Sequence, residues 1–405
     1  MKRYDVVIVG GGLVGATLAC ALLEAPLSVA LLEAVPFEVD APPSFDDRGL
    51  ALSPATQRVL SGIGVWPGLA AAATPVRAIH VSERGRFGAV RICAEDYGLE
   101  ALAHVSLARD LGAGLMQRLK PQANCELHCP ARVVGVRHDR DAMVVTAQRG
   151  EDRYTIETRL LIVADGAQSP SRSLLNIGAR ERDYGQTAIV ANLRTGRPHD
   201  NVAYERFTPD GPAAVLPQRT GLCGLVYVLP TAAATAAASL PDRAFLAQVQ
   251  ERFGRRLGEL SGLGGRSLYP LRLVVADRIA GARYMVVGNA AHAVHPNGAQ
   301  GFNLGVRDAA VAAECIIDAA RAGLDVGADA VTGSYAERCR PDHQRTIRFT
   351  DGLTRLFYND WWPHAVARQA AMLAVELIPP LKRRLVAHGS GLRGAPSRLL
   401  QGRPL

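Results

Sequence analysis

The feature that most constrains this chain is a glycine-rich turn directly after its first apolar segment. Residues 4–9 form a short run rich in β-branched side chains, and Gly10, Gly12 and Gly15 follow at once. The next segment, from Leu13 to Glu24, carries no charge before its last residue. This order predicts a buried parallel strand, a tight turn and a helix, which together are the first part of a βαβ unit.

A second apolar run, Ser28 to Leu32, completes the unit and ends in Glu33. Glycines at this spacing let the backbone approach a pyrophosphate closely. The N-terminus of the helix offers N–H groups to the phosphates, and the acid accepts hydrogen bonds from the ribose hydroxyls. The pattern predicts a dinucleotide site, without separating NAD from FAD, at Gly10, Gly12, Leu13, Val14, Gly15 and Glu33. A membrane anchor over residues 6–23 is a weaker interpretation, because four glycines lower its hydrophobicity.

Two further apolar runs end in polar, glycine-rich loops. Leu160 to Ala164 leads into Asp165 and Gly166, and Met285 to Val287 leads into Gly288 and Asn289. Open α/β sheets bind ligands at the carboxyl ends of parallel strands. We therefore expect these loops and the first turn to form one crevice.

The segment from 288 to 308, GNAAHAVHPNGAQGFNLGVRD, reads as a loop against which a ligand lies closely. Glycines at 298, 301 and 305 permit backbone approach and positive φ, whereas Ala299 would be strained if φ there exceeds zero. A helix is expected to begin near Phe302. Because no third ligand is evident beside His292 and His295, packing is preferred to a metal site. Arg307 and Asp308 are interpreted as cap or surface-pair residues.

Composition and charge narrow the class of protein. Hydrophobic residues make up 48% and charged residues 21% of the 405 residues, which is typical of a folded, soluble protein. Seven scattered cysteines favour a reducing cytoplasm over a disulfide framework, and Cys125 and Cys129 are interpreted as structural. Low aromatic content without a basic run interleaved by aromatics argues against nucleic acid as a partner.

The C-terminal end concentrates the positive charge. Residues 377–405 contain six Lys and Arg and no acid, out of a net charge of +8. Because leucines are interspersed with these charges, the tail could bind an anionic membrane surface or an acidic protein partner. The alternative is a solvated terminus. Trp361 and Trp362 leave a similar choice between an apolar entrance or membrane contact and the packing of a terminal helix.

Residues 179–275 differ in pattern from the first part of the chain. Short alternating segments lie at 187–194, 202–207, 213–216 and 222–228, separated by Pro, Gly and Asp. They predict a mostly antiparallel sheet. The predicted fold class is α/β, with a Rossmann-like, parallel-sheet nucleotide domain (1–75, 95–178 and 276–350), a β-sheet substrate domain (76–94 and 179–275) and a C-terminal helical region with a basic tail (351–405).

These motifs together resemble the flavin-dependent aromatic hydroxylases of the para-hydroxybenzoate hydroxylase fold, and among them the ubiquinone-biosynthesis hydroxylases. The resemblance rests on the Gly10–Gly15 turn with Glu33, on DDRGLALS (46–53), on Asp165-Gly166 with Arg172, and on HPNGAQGFNLGVRD (295–308). Residues 80–105 and Asn289 resemble the branch that acts on 2-polyprenyl-6-methoxyphenol. Most of the wider family has Asp at the position of Asn289, and Gly298-Ala299 inverts its usual order.

The resemblance implies FAD as the cofactor and assigns residues to it. The Gly10–Gly15 turn would hold the pyrophosphate, Glu33 the adenosine ribose, and Arg48 and Arg109 would belong to the same site. Asp165 and Gly166 would belong to the loop associated with FAD and with passing NAD(P)H. Gly288 and Asn289 would meet the ribityl chain, and Gly301, Phe302 and Asn303 would lie beside the isoalloxazine ring. Gly298 is also assigned to the cofactor site.

The implied reaction is the hydroxylation of a polyprenyl phenol with NAD(P)H and O2 through a C4a-hydroperoxyflavin. Because the flavin carries the chemistry, no catalytic side chain is certain and no metal is expected. Tyr204, His80 and Arg206 are guesses for a group that assists deprotonation of the phenol. The expected location is cytoplasmic, with possible peripheral association at the inner face of the membrane or with a biosynthetic complex.

Three rivals remain at this level. A flavin halogenase is disfavoured because the tryptophans at 66, 361 and 362 do not form the W-x-W-x-I-P motif. A prenyl reductase would share the cofactor motifs but would not need oxygen. A non-catalytic scaffold subunit would keep the fold and fail to bind FAD.

Overall fold

The computed structural model describes residues 1–36, 46–120, 124–358, 361–393 and 397–405. Its strands are β1 (Lys2–Val9), β2 (Val29–Leu32), β3 (Gly49–Leu52), β4 (Thr74–Val76), β5 (Ala78–Glu83), β6 (Ala89–Cys93), β7 (Ala103–Leu107), β8 (Cys125–His128), β9 (Arg132–Asp139), β10 (Ala142–Arg149), β11 (Asp152–Val163), β12 (Ala179–Thr195), β13 (Val202–Phe207), β14 (Ala213–Pro217), β15 (Leu222–Pro230), β16 (Leu260–Ser261), β17 (Ser267–Ala276), β18 (Ala280–Gly281), β19 (Tyr284–Val286) and β20 (His292–Ala293). Its helices are α1 (Leu13–Ala21), α2 (Pro54–Gly62), α3 (Trp66–Leu69), α4 (Ala108–Arg118), α5 (Pro170–Leu174), α6 (Thr231–Ala238), α7 (Asp242–Phe253), α8 (Gln300–Arg321), α9 (Asp329–Phe357), α10 (Trp362–Leu377) and α11 (Pro379–Gly389).

The first sheet contains the predicted parallel strands. Its order is β18-β19-β11-β1-β2-β8, and β9 and β10 extend it antiparallel from β11. Strand β1 pairs parallel with both β11 and β2, and its last four residues are buried. Val6 and Ile8 pack into one apolar cluster, while Val7 and Val9 pack into another on the opposite face. Burial on both faces explains why this strand is continuously apolar rather than alternating.

The second sheet is mostly antiparallel, as expected, with the order β20-β17-β12-β15-β14-β13-β5-β6. The exception on this path is the parallel pair of β13 and β5. Alternate residues of β15, including Cys223, Leu225 and Tyr227, pack against Phe245 and Val249 of α7. The other face of the sheet is therefore directed away from α6 and α7, because successive side chains of a strand alternate.

The C-terminal region combines long helices with a segment that returns to the core. Helix α9 continues across position 350, and α10 and α11 follow it. Leu399 and Leu400 are buried in the same apolar cluster as Leu60 of α2. The end of the tail is thus packed into the same core as α2 rather than solvated along its length. Within the described ranges, no helix is both long and apolar enough to cross a bilayer.

Candidate active site

A cavity of about 1080 Å³ extends from the Gly10–Gly15 turn to the second sheet and the C-terminal helices. The carboxyl ends of β1, β2 and β11 contribute one end, where Gly10, Glu33 and Asp165 line it. Apolar side chains of the second sheet and of α9, α10 and α11 line the rest. This arrangement confirms that the loops after the parallel strands form one crevice.

The glycine-rich turn is shaped by close backbone packing. Gly10 has a φ of +104°, and a Cβ there would lie 2.5 Å from the carbonyl oxygen of Ala164. A Cβ on Gly15 would lie 1.9 Å from the carbonyl oxygen of Gly10. Helix α1 has Gly12 as its N-cap and no side-chain cap, so its first N–H groups remain available to a ligand. The carboxylate of Glu33 accepts a 2.6 Å hydrogen bond from Gly11 N.

The loops after β11 and β19 are tied to each other. Asp165 accepts from the Ser171 backbone N–H at 2.8 Å and also from the Ser169 hydroxyl. The buried Arg172 donates to the carbonyl of Ala290 at 2.8 Å. Asn289 is exposed, lines the cavity and makes no hydrogen bond to a described residue. Its amide is therefore able to meet polar groups of a ligand.

The loop before α8 contains the backbone geometry suggested by its glycines. Gly298 has a φ of +68°, and Ala299 lies in the left-handed region at φ +52° and ψ +39°. The expected strain at Ala299 is confirmed. A Cβ on Gly301 would lie 3.6 Å from Val294, so packing within the protein does not require glycine there. Helix α8 begins at Gln300, two residues earlier than expected, again without a side-chain cap.

Asn303 is committed to the protein framework although it also lines the cavity. Its Oδ1 accepts from Ser53 N at 2.9 Å and from the Thr56 hydroxyl at 2.7 Å. Its Nδ2 donates to the carbonyls of Ala51 and Ala299 at 2.8 and 2.7 Å. Asn303 therefore joins the start of α8 to β3 and α2.

A buried carboxylate lies under the same loop. Asp308 accepts from Gly288 N at 3.0 Å and from the Nε2 atoms of His292 and His343 at 2.6 Å each. The side chains of Asp308 and Arg307 are both buried, and Arg307 pairs with Asp342 at 2.6 Å. The interpretation of Asp308 and Arg307 as surface residues was therefore wrong.

The electrostatics of this cluster favour an ionised Asp308. Burial alone would raise the pKa of Asp308, but His343 and His292 outweigh burial and hold the pKa well below its ordinary value. Burial lowers the pKa of His292 although Asp308 opposes that change. A neutral His292 that donates from Nε2 agrees with its unpartnered Nδ1.

The same three groups lie close enough to hold a metal ion, which sequence spacing alone had not indicated. Here they satisfy one another, and a metal would have to replace both imidazole–carboxylate hydrogen bonds. His295 lies outside this cluster and instead contacts Gln186 Oε1 at 3.4 Å.

The predicted cofactor residues divide into two groups. Those that line the cavity are Gly10, Gly12, Leu13, Val14, Glu33, Arg48, Asp165, Gly166, Asn289, Gly298, Gly301, Phe302 and Asn303. Gly15 and Gly288 lie behind it, where Gly288 packs against Val14. Arg109 does not line the cavity and pairs with Asp47 at 2.6 Å, so the structure does not bring it to the expected site.

The three guesses for a deprotonating group are directed away from the cavity centre. The ring of Tyr204 packs against Phe253 of α7 at 5.8 Å, although Tyr204 also lines part of the cavity. His80 accepts from Arg256, and Arg206 donates to the Arg252 carbonyl at 3.2 Å. Glu205, which lies between Tyr204 and Arg206 on β13 and faces the other side of the sheet, lines the cavity.

Helix α10 is fixed over the cavity by a buried polar cluster. Arg368 donates from Nε to Glu83 of β5 at 2.9 Å, and Gln369 also donates to Glu83. Gln369 Oε1 accepts from Gly88 N at 2.8 Å. These contacts hold Met372 and Val375 of α10 against the cavity.

Comparisons with known proteins place this geometry in a family. Residues 3–350 match the family described as "FAD binding domain". The ubiquinone hydroxylase UbiL of Rhodospirillum rubrum is 38% identical over the whole chain and 94% of its own length. The chain belongs to the FAD-dependent ubiquinone-biosynthesis hydroxylases, a family of monooxygenases. The resemblance inferred from the motifs is thereby confirmed.

One further relative agrees with this membership, and one solved structure shares the fold. The 3-demethoxyubiquinol 3-hydroxylase of Escherichia coli is 28% identical over 96% of this chain and 98% of its own length. The p-nitrophenol 4-monooxygenase PnpA of Pseudomonas putida has the same fold, with a TM-score of 0.81 and 18% identity. That alignment covers 98% of this chain and all of PnpA. The predicted fold class is therefore correct.

The residues present fit FAD. The uncapped N-termini of α1 and α8 both face the cavity, so they offer N–H groups for a pyrophosphate and for the electron-rich edge of a flavin ring. The unpartnered amide of Asn289 lines the same cavity. An extended dinucleotide with a flat ring suits these groups.

Proposed function

We propose that this enzyme uses FAD, NAD(P)H and O2 to hydroxylate a polyprenylated phenol, 2-polyprenyl-6-methoxyphenol, in ubiquinone biosynthesis. One observation carries the proposal: a single cavity joins the dinucleotide cradle to a large apolar chamber. FAD would supply the redox chemistry: it would take reducing equivalents from NAD(P)H and deliver one oxygen atom of O2 to the phenol ring.

The residues of the chain would position the reactants and exclude water. Pro296 and Gly298 would lie beside the ring system, and the α8 N-terminus would stabilise negative charge on it. Val226 and Val228 of β15 form part of the opposite wall. A dry, apolar chamber favours transfer of oxygen to the substrate over its loss as peroxide.

The prenyl tail would occupy the part of the chamber next to the C-terminal helices. Leu353 and Phe357 of α9, Met372 and Val375 of α10, and Leu385 of α11 line this part. Each methylene buried there contributes about 0.8 kcal/mol, so a tail of several isoprene units would supply most of the binding free energy.

The test is a reaction of the purified protein with FAD, NAD(P)H and a short-chain 2-prenyl-6-methoxyphenol in aerated buffer. We expect flavin absorbance that bleaches faster with substrate and a product heavier by one oxygen atom. Consumption of NAD(P)H with a reduced prenyl chain, independent of oxygen, would show a reductase instead. Failure to bind FAD would favour the scaffold role.

We also propose peripheral association with an anionic membrane through the outer face of α10 and α11. Trp362, Val366, Leu373 and Leu377 are exposed and fall within about 60° on the wheel of α10, so they form one stripe. Arg383 and Arg384 of α11 are exposed beyond its end. An apolar stripe beside basic residues favours an interface with anionic lipid.

Sedimentation with vesicles that contain anionic lipid tests this association. Trp362→Ser with Leu377→Ser should reduce binding several-fold, and added salt should weaken binding by the wild type. Leu324→Ser is a matched control, because Leu324 is exposed but lies between α8 and α9. Equal binding by the double variant and the control would contradict the proposal.

A further inference from the structure

Glu205 interrupts an apolar wall of the cavity. On β13, Ala203, Glu205 and Phe207 alternate with residues that face away, and all three line the cavity. Across the sheet, Glu205 pairs in register with Val81 of β5 and Ala214 of β14. The next positions in that row are Val90 and Val226, which also line the cavity. An acid in the middle of this row has no role in packing the sheet.

Other acids inside the protein have partners, whereas Glu205 has none among the described residues. Glu83 pairs with Arg368, Asp308 accepts from two histidines, and Glu314 pairs with Arg338. The side chain of Glu205 makes no hydrogen bond or ion pair to a described residue. An unpartnered carboxylate in an apolar wall is costly, so its presence indicates a ligand that supplies the missing partner.

We propose that Glu205 is the proton acceptor for the phenol hydroxyl of the substrate. This assignment rests on the proposed function, because only a hydroxylated aromatic ring in the chamber brings a donor to this position. A phenol O–H offers the carboxylate a hydrogen-bond donor, which no described residue supplies. The rest of a prenylated, methoxylated ring matches the apolar residues around Glu205.

The proton and electron balance of the step is closed. As the hydroxyl proton passes to Glu205, the phenol oxygen pushes electron density into the ring, and the ring carbon bonds to one oxygen atom of O2. The O–O bond breaks, and the second oxygen leaves as water, with two electrons and one proton from NAD(P)H and a second proton from solvent. The substituted carbon then loses its hydrogen as a proton, which is balanced by the proton on the new hydroxyl, and Glu205 returns its own proton to the phenol oxygen.

The environment of Glu205 suits a base that works near neutral pH. Burial raises the pKa of Glu205 to about 7. The residues opposite Glu205 on β5, β6 and β14 are apolar, and Tyr358, directly after α9, is a titratable group near enough to interact with it electrostatically. Burial raises the pKa of Tyr358 above its ordinary value, so Tyr358 stays neutral in this range. A general base is most effective when its pKa lies near the working pH.

The first experiment measures binding without turnover. A short-chain 2-prenyl-6-methoxyphenol and its O-methylated analogue are equilibrated with the FAD-loaded protein in the absence of NAD(P)H at pH 8. We expect the wild type to prefer the phenol, and Glu205→Gln to lose about tenfold of that preference. Glu251→Gln, which neutralises an exposed acid of α7 paired with Arg84, should keep the wild-type preference. An unchanged preference in Glu205→Gln would overturn the assignment.

The second experiment follows product formed per NAD(P)H consumed as a function of pH. In the wild type this ratio should rise as pH increases through about 7, following the ionisation of Glu205. In Glu205→Gln it should be low and flat, and Glu205→Asp should restore part of it. A rising profile in Glu205→Gln equal to that of the wild type would contradict the assignment.

A folding control separates the chemistry from the structure. Because Glu205 is unpartnered, Glu205→Gln should bind FAD and unfold at or above the wild-type temperature at pH 8. Absence of oxygenated product from the wild type would reject the proposed function. The binding comparison would still decide the role of Glu205, because it needs no turnover.

Discussion

Replacing Asp308 with alanine should destabilise the fold strongly, because one carboxylate connects three separate segments. It accepts from Gly288 just after β19, from His292 of β20 and from His343 on α9. Asp308→Ala leaves all three donors buried without an acceptor. The loop that follows β19 would lose its attachment to α8 and α9.

The size of the effect follows from these three bonds. Each buried donor left unsatisfied costs about 1–3 kcal/mol, and three donors lose their acceptor here. Allowing for local relaxation, we expect the free energy of unfolding to fall by about 4 kcal/mol. For a chain of this length that corresponds to a decrease in Tm of about 5 °C. Asp308→Asn, which still accepts one bond, should lose about half as much.

The pH dependence has a definite sign. Asp308 has a lowered pKa, so its contribution is present above its unfolded pKa of about 3.8 and is lost as pH falls through the lower folded value. Asp308 opposes the burial that lowers the pKa of His292. Without it the folded state resists protonation of His292 more strongly, while the unfolded state takes up that proton below about pH 6.5. The unfolded-state uptake is the same in wild type and variant, so the deficit of Asp308→Ala should grow only as pH falls through the folded-state pKa of His292 in the wild type, which lies below 6.5.

Chemical denaturation of the wild type and variants at pH 8 and pH 5.5, with FAD affinity measured in parallel, checks this prediction. Asp318→Asn is the matched control on α8, because its pair with Arg398 is half-exposed and worth about 0–1 kcal/mol. A loss below about 1 kcal/mol in Asp308→Ala would refute the reasoning. If a chelator destabilised the wild type alone, the cluster would instead hold a metal ion.

Three further outcomes are expected from the geometry of the cofactor loop. Ala299→Gly should remove left-handed strain and raise stability by up to about 1 kcal/mol, whereas Gly298→Ala should lower it by a similar amount, both measured by thermal unfolding. Gly305→Ala places a Cβ 2.8 Å from a side chain of α1 and should lower the free energy of unfolding by about 1–3 kcal/mol. Gly301→Ala should fold normally but weaken FAD binding, as measured by titration. Burial lowers the pKa of His295 to about 4, so the wild type should lose up to about 3 kcal/mol between pH 6.5 and 4, and His295→Gln should flatten that loss in acid denaturation.

The cofactor half of the site could be predicted from the sequence because its signals are local. A β-branched run that breaks into glycine specifies a buried strand and a tight turn within a few residues, as in Val9 and Gly10. The conditional expectation of strain at Ala299 came instead from the resemblance, because Gly298-Ala299 inverts the family's usual order. The length of α1 was overestimated, because its apolar residues continue beyond Ala21 into a buried turn.

The Asp308 cluster could not be predicted, because its members come together only through the packing of α8 against α9. His343 lies 35 residues after Asp308 in a helix without a distinguishing motif. Sequence spacing showed only His292 and His295, and the structure separates these two. Neither hydrophobic pattern nor charge indicates that a carboxylate in a helix will be buried between two imidazoles.

Glu205 shows a different limit, since the local pattern was correct but its orientation was unknown. The alternation in VAYERF assigns Tyr204 and Arg206 to one face of β13 and Glu205 to the other, whichever face is inside. Tyrosine and arginine are ordinary choices beside a substrate, so the sequence favoured their face. The choice is decided by α7, some forty residues away, which covers the Tyr204 face with Phe253. Because α7 covers the Tyr204 face, the Glu205 carboxylate rather than the Tyr204 phenol is directed toward the centre of the chamber.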